Sequence, residues 1–177
     1  MVKVLYPGSF DPVHNGHVEI CTTASRLFDH VVVAAMRNPQ KSNLFFTDEE
    51  RFEMLTETCA HMENVEVVQF GELVVDLATQ LDVDFIVKGL RGAADFESEL
   101  QMAQMNKSVS GVETLFLPST SESARSAFCY LIGRSQVLLS SRACEFGCQR
   151  MVVSVKWIAS AIRAIRTQLK QRGARSV

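Results

Sequence analysis

Short β-rich runs alternate with longer stretches of helical period through the first two-thirds of this 177-residue chain. That rhythm restricts the possible folds more than any other feature. Val2–Tyr6 reads as a strand, Gly16 to Phe28 as a helix and His30–Met36 as a second strand. Thr47-Asp48-Glu49-Glu50 has the S/T-x-x-E form of a capping box and opens a helix to about His61, with Phe52, Leu55 and Cys59 on one face. Val65–Phe70 follows as a strand, Glu72–Leu81 as a short helix, Asp84–Lys88 as a strand, Gly92–Ser108 as a helix, and Glu113–Leu117 as a fifth strand before Pro118. Successive strands joined by helices pair in parallel through right-handed crossovers. The predicted class is α/β, a single-domain doubly wound five-stranded parallel sheet. Ligands of such sheets bind beyond the carboxyl ends of the strands, so the loops after Tyr6, Met36, Phe70, Lys88 and Leu117 should ring the site.

With 47% hydrophobic residues the chain can bury a core of ordinary size as one domain spanning 1–177. Residues 1–118 read as its catalytic core, 119–150 as a divergent Ser-, Cys- and Arg-rich loop region, and 151–172 as an amphipathic C-terminal helix. In that helix Met151, Val155, Ile158, Ile162, Ile165 and Leu169 recur at steps of four and three, with Lys156, Arg163, Arg166 and Lys170 elsewhere around it. The net charge of −2 hides an asymmetry. Residues 1–119 hold 8 Lys and Arg against 18 Asp and Glu, and residues 120–177 hold 10 against 2.

A basic tail admits a nucleic-acid or membrane-surface module. The full apolar stripe of the helix favours packing on the sheet instead, so neither a nucleic-acid nor a membrane partner is expected. The apolar stretch at the N-terminus is too short for a signal peptide, and no run reaches the roughly 18 apolar residues of a membrane span. The expected location is therefore cytoplasmic. Five scattered cysteines without a CxxC pair argue against a disulfide framework or a zinc site, and Cys21 and Cys59 read as reduced thiols filling apolar space.

The chemistry concentrates where the first strand ends. Tyr6-Pro7-Gly8-Ser9-Phe10-Asp11-Pro12 leads directly into His14-Asn15-Gly16-His17 at a helix start. Glycines let backbone N–H groups approach an anion, the helix N-terminus adds partial positive charge, and two imidazoles supply donors, so this turn reads as a phosphate site. Alone, such a histidine pair is more often a cap or a surface turn; its place after the first strand favours the site. Lys41 leaves the second strand, and Lys88 and Arg91 leave the fourth. Each could be an ordinary solvated cation. Yet three of the eight basic residues of so acidic a segment fall in site loops, and phosphate clamps are what phosphoryl or nucleotidyl transfer needs. Neither a Walker sequence nor a G-x-G-x-x-G fingerprint is present, which argues against a P-loop kinase and a dehydrogenase.

The run PGSFDPVHNGH, the lysine of NPQK, the stretch LVVDLA, and VKGLR followed by DFESELQMAQMNK resemble bacterial phosphopantetheine adenylyltransferases over roughly residues 2–118. H-x-G-H marks the wider nucleotidyltransferase superfamily, whereas KGLR with the DFE-x-E-x-QMAQMN run is similar to this enzyme family in particular. The resemblance implies adenylyl transfer from ATP to 4′-phosphopantetheine, giving dephospho-coenzyme A and pyrophosphate, with Mg²⁺, in a homohexamer. It implies that Ser9 and Phe10 meet ATP, with Ser9 also at the pantetheine phosphate, and that His17 holds the triphosphate and stabilises the transition state. Lys41 and Lys88 would bind the acceptor phosphate and Val74 the pantetheine arm. Gly89, Leu90, Arg91 and Glu99 would belong to the ATP site. Val74 reads equally well as a core valine, and Glu99 as a solvated helix carboxylate. Beyond Pro118 the family pattern of a Ser-rich ATP loop is matched best by Ser140 and Ser141, displaced by about a dozen residues. The rival readings are a nucleotidyltransferase for another phosphate acceptor, which KGLR opposes, and a nucleotide- or coenzyme A-binding protein of the same fold with weakened turnover.

Overall fold

The computed structural model describes residues 1–37, 44–90 and 93–119. The predicted loop region 119–150 beyond Ser119, the predicted helix 151–172, Lys41, Arg91, Ser140 and Ser141 lie outside the described residues. Nine elements follow one another as β1 (Lys3–Gly8), α1 (Asn15–Leu27), β2 (His30–Met36), α2 (Asp48–Cys59), β3 (Val65–Phe70), α3 (Val74–Gln80), β4 (Phe85–Leu90), α4 (Ala93–Ser110) and β5 (Glu113–Pro118). The strands form one sheet in the order β3-β2-β1-β4-β5, with every adjacent pair parallel. This is the doubly wound α/β architecture expected from the alternation of strands and helices.

Burial explains why the central strands are nearly continuous in Val, Leu and Ala. Along β1, Val4 and Tyr6 face one apolar cluster, shared with Ile20, Cys21 and Ala24 of α1 and Met54, Leu55 and Cys59 of α2. Leu5 faces the other, with Val32, Ala34 and Ile86 and with Leu77 and Ala78 of α3. Both faces are thus covered, as an all-parallel sheet requires. Each fully buried Val or Leu contributes about 1.5–3 kcal/mol.

The helix start at Thr47 forms as the sequence predicts. The Thr47 hydroxyl accepts from the Glu50 N–H at 3.2 Å and the Glu50 carboxylate accepts from the Thr47 N–H at 3.1 Å. Leu55 and Cys59 are buried, but Phe52 is only half-buried; Met54 and Arg51 take the inward positions beside Leu55. The inward stripe is therefore rotated from the predicted one.

β1 and β4 each run two residues past their predicted ends. Gly8 remains in register with Ala35 of β2, and Leu90 with Pro118 of β5. A neighbouring strand supplies the partners that the weak strand preferences of Pro and Gly do not. Between β1 and β4, however, pairing stops at Leu5–Ile86. Each strand continues with its outer neighbour only, so the sheet parts at its centre toward the carboxyl end. Pro7 contributes to this break, having no N–H to offer across it. The parting falls where the strand order reverses, the place at which doubly wound sheets take ligands.

Candidate active site

The turn after β1 is built from the inside outward. Gly8 leaves room for the Phe10 ring, since a Cβ there would lie 3.0 Å from the ring's tip. Phe10 is 1% exposed and has a left-handed φ of 46°. Its ring meets Tyr6 edge-on at 5.5 Å and His17 edge-on at 4.9 Å. Any contact of Phe10 with a nucleotide therefore falls to its backbone. The Asp11 carboxylate accepts the N–H groups of Phe45 at 2.8 Å and Phe46 at 3.0 Å, tying this turn to the chain entering α2.

His14 caps α1 with extended backbone, and its N–H donates to His17 Nδ1 at 3.3 Å. The two imidazoles stack at 3.6 Å, 21° from parallel. With Nδ1 accepting, neutral His17 carries its proton on Nε2, so it has a donor at the first turn of a helix whose dipole already favours anions. Gly16 is buried. Ser9 is half-buried at the strand end.

Lys88 and Gly89 occupy the β4 side of the parting. Strand alternation aims them at opposite faces. Lys88 shares the face of α3 and α4, and its Nζ lies 3.5 Å from Glu99 Oε2 of α4; the two side chains are 22% and 32% exposed. An ion pair this accessible holds by less than about 1 kcal/mol and can exchange its carboxylate for a stronger anion. Gly89 faces α1. A Cβ there would meet Ile20 Cγ1 at 3.0 Å and Cδ1 at 3.4 Å, so the close approach of helix and strand excludes a side chain. The Leu90 carbonyl accepts from the Ser119 N–H at 2.9 Å and hydroxyl at 3.2 Å, pinning the exit of β5 to the end of β4. Val74 is half-buried at the start of α3 against the second apolar cluster, with the exposed Leu73 before it.

The structure therefore gathers Ser9, Phe10 and His17 on one side of the parting and Lys88, Gly89, Leu90 and Glu99 on the other. Three residues that sequence reasoning passed over as site residues hold this arrangement together: Asp11, and Arg51 with its partner Asp48. A signal for each was available. Asp11 precedes a proline inside the turn, and Asp48 and Arg51 stand three apart in the first turns of a capped helix, where side chains meet.

A parallel sheet parted at its switch point, with an H-x-G-H turn on a helix N-terminus beside it, defines a nucleotidyltransferase-type α/β protein; residues 5–133 match the cytidylyltransferase-like family model. Phosphopantetheine adenylyltransferase from Nocardioides sp. (strain ATCC BAA-499 / JS614) is 53% identical over 117 residues, 66% of this chain and 73% of that protein. Those from Gloeobacter violaceus and Streptomyces coelicolor are each 50% identical over 119 residues, covering 67% of this chain and 73% and 74% of theirs. The chain belongs to the phosphopantetheine adenylyltransferase family. A solved structure, the lipopolysaccharide core biosynthesis protein from Thermoplasma volcanium GSS1, aligns at 23% identity and a TM-score of 0.48 over 68% of this chain and 97% of that one.

Proposed function

We propose that this enzyme transfers the adenylyl group of ATP to 4′-phosphopantetheine, forming dephospho-coenzyme A and pyrophosphate. The observation that carries the reading is the parting of β1 from β4, which sets the His17 turn and the Lys88 strand on either side of it, in a chain 53% identical over 117 residues to an enzyme of that name. The acceptor is a phosphate monoester with a second pKa of about 6, so it is largely dianionic at neutral pH and needs no strong general base. Positioning and charge neutralisation then supply most of the catalysis.

In this scheme the acceptor phosphate displaces Glu99 from Lys88, with Lys41 as its second clamp, and Val74 borders the pantetheine arm. Ser9 holds the phosphate end, while Phe10 through its backbone and Gly89, Leu90, Arg91 and Glu99 line the ATP side. His17 Nε2–H donates to the triphosphate and stabilises charge as the α-phosphorus is attacked in line and pyrophosphate departs. Among the described residues no group of three or more His, Cys, Asp or Glu side chains is arranged to hold a metal ion. Magnesium commonly binds through substrate phosphates with several of its waters retained, and here it would arrive with ATP as part of the substrate.

We place the enzyme in the cytoplasm as a homohexamer. Among the described residues no helix is long and apolar enough to cross a membrane. The exposed Met102, Met105 and Val109 of α4 are apolar surface that an assembly would cover. Light scattering should give about six times the 19.7 kDa chain mass, and a monomeric mass would reject the assembly. The activity is tested by incubating the chain with ATP, Mg²⁺ and 4′-phosphopantetheine and following pyrophosphate. Release that depends on the acceptor is expected; ATP binding without release would reject turnover.

A further inference from the structure

Arg51 is 1% exposed, and the described contacts of its guanidinium all serve the ends of the central strands and its own helix. Nη1 donates to the carbonyl of Ser9, immediately after β1, and to the carbonyl of Met36, the last residue of β2, the latter at 3.0 Å. Nη2 pairs with the Asp48 carboxylate one turn back on α2. Gln69 of β3 buttresses the pair, donating from Nε2 to the Asp48 carbonyl at 3.0 Å while its Oε1 accepts from Arg37. A buried cation with one carboxylate and two carbonyls is an expensive way to fasten a helix, and an apolar residue of similar volume would often serve stability as well. Its placement therefore calls for a reason beyond packing.

The reason lies in the peptide planes. In a trans peptide the C=O and N–H point in opposite directions. The Met36–Arg37 peptide displays this, with its carbonyl on Arg51 and its N–H on the Phe70 carbonyl at 2.7 Å. By the same rule, a Ser9 carbonyl held by Arg51 aims the Phe10 N–H away from Arg51. Among the described residues no backbone carbonyl takes that N–H. Phe10 has the left-handed φ of 46°, a conformation that a non-glycine residue keeps only when its surroundings enforce it. One side of that enforcement is the ring locked between Tyr6 and His17; the other is Arg51 on the preceding carbonyl.

We propose that Arg51 is a positioning residue for adenylyl transfer: by binding the Ser9 and Met36 carbonyls it fixes the Ser9–Phe10 peptide, and so the outward backbone donor and the Ser9 side chain on which phosphate is held next to His17. This rests on the adenylyl-transfer reading above. Lysine cannot replace the guanidinium, because one ammonium on a flexible stem does not span two carbonyls and a carboxylate in a fixed fork.

The test uses the full chain with three substitutions. R51K keeps the charge and loses the fork. D48N keeps the arginine and removes its carboxylate. T47A removes the cap of the same helix without touching either carbonyl, and serves as a control of lowered stability. Each is assayed for acceptor-dependent pyrophosphate release, ATP affinity by calorimetry and thermal midpoint. A misplacement of about 1 Å costs about 100-fold in rate. R51K should therefore lower kcat about 100-fold with ATP affinity changed less than ten-fold, D48N should lower kcat several-fold, and T47A should keep the parent kcat at equal folded fraction. Parent kcat in folded R51K, or a loss in T47A equal to that in R51K, would overturn the proposal. If R51K does not fold, D48N decides, and parent kcat in D48N overturns it. A parent protein without acceptor-dependent release would instead reject the adenylyl-transfer reading itself.

Discussion

Replacing Gly89 with alanine probes the closest packing at the parting of the sheet. The new methyl would lie 3.0 Å from Ile20 Cγ1 and 3.4 Å from Cδ1, with the Tyr6 hydroxyl at 3.8 Å, so α1 or β4 must move by a few tenths of an ångström. Overpacking of this kind costs about 1–3 kcal/mol. The reduced freedom of the unfolded chain offsets about 0.4–1 kcal/mol where the backbone suits alanine. The expected net loss is about 1–2 kcal/mol, or roughly 2–8 °C in thermal midpoint for a chain of this size. Ile20→Ala alone should cost about 2–5 kcal/mol through the cavity it leaves. Combined, the two should cost clearly less than their sum, because the alanine methyl occupies space that the isoleucine vacates. A double-mutant cycle by denaturant unfolding measures the coupling, expected at about 1–2 kcal/mol. Ile20→Val would not serve, since valine retains a Cγ1 where the clash falls. Additive losses, or a G89A protein as stable as the parent, would refute the argument that helix packing demands this glycine.

Three further substitutions or treatments follow from the geometry. His17→Ala removes the Nε2 donor and should lower kcat by about 10²–10³ while ATP affinity changes little, as read by single-turnover kinetics beside calorimetry; matched losses in both would remove its transition-state role. Asp11→Asn keeps one acceptor oxygen for the Phe45 and Phe46 N–H groups and should cost about 1–3 kcal/mol in urea unfolding, whereas an unchanged midpoint would show that the two bonds do not hold the turn. Hydrogen bonding to Cys59, and then burial, push the Cys21 thiol above its ordinary range, while the same bond draws Cys59 down. Both sulfurs are buried, so a small alkylating reagent at pH 8 should label Cys21 and Cys59 only after denaturation; peptide mass mapping that finds either labelled in the native protein would contradict their packing.

Much of the architecture was legible because it depends on local pattern. Alternating strands and helices, the Thr47 capping box and the Val- and Ala-rich central strands are statements about propensity and burial that a linear chain carries residue by residue. The end of the sheet at which the predicted site loops gather was legible for the same reason, since a parallel sheet fixes which loops share an end, and the H-x-G-H turn follows the first strand. Phe52 misled because a periodic stripe determines spacing but not rotation; the sheet beneath α2 chose Arg51, Met54 and Leu55 as its inward face.

By itself, then, the sequence determined the class of sheet, the order of its elements and the place of the H-x-G-H turn between the first strand and its helix, because each follows from short-range periodicity and chain geometry. Only the tertiary structure decided that β1 and β4 part beyond Leu5 and Ile86, that Lys88 rests on Glu99, and that a buried arginine 42 residues away in sequence holds the Ser9 carbonyl. Those are contacts between separate elements of the fold. Their energies depend on which distant groups the folded core leaves desolvated and in need of a partner, and no local pattern encodes that.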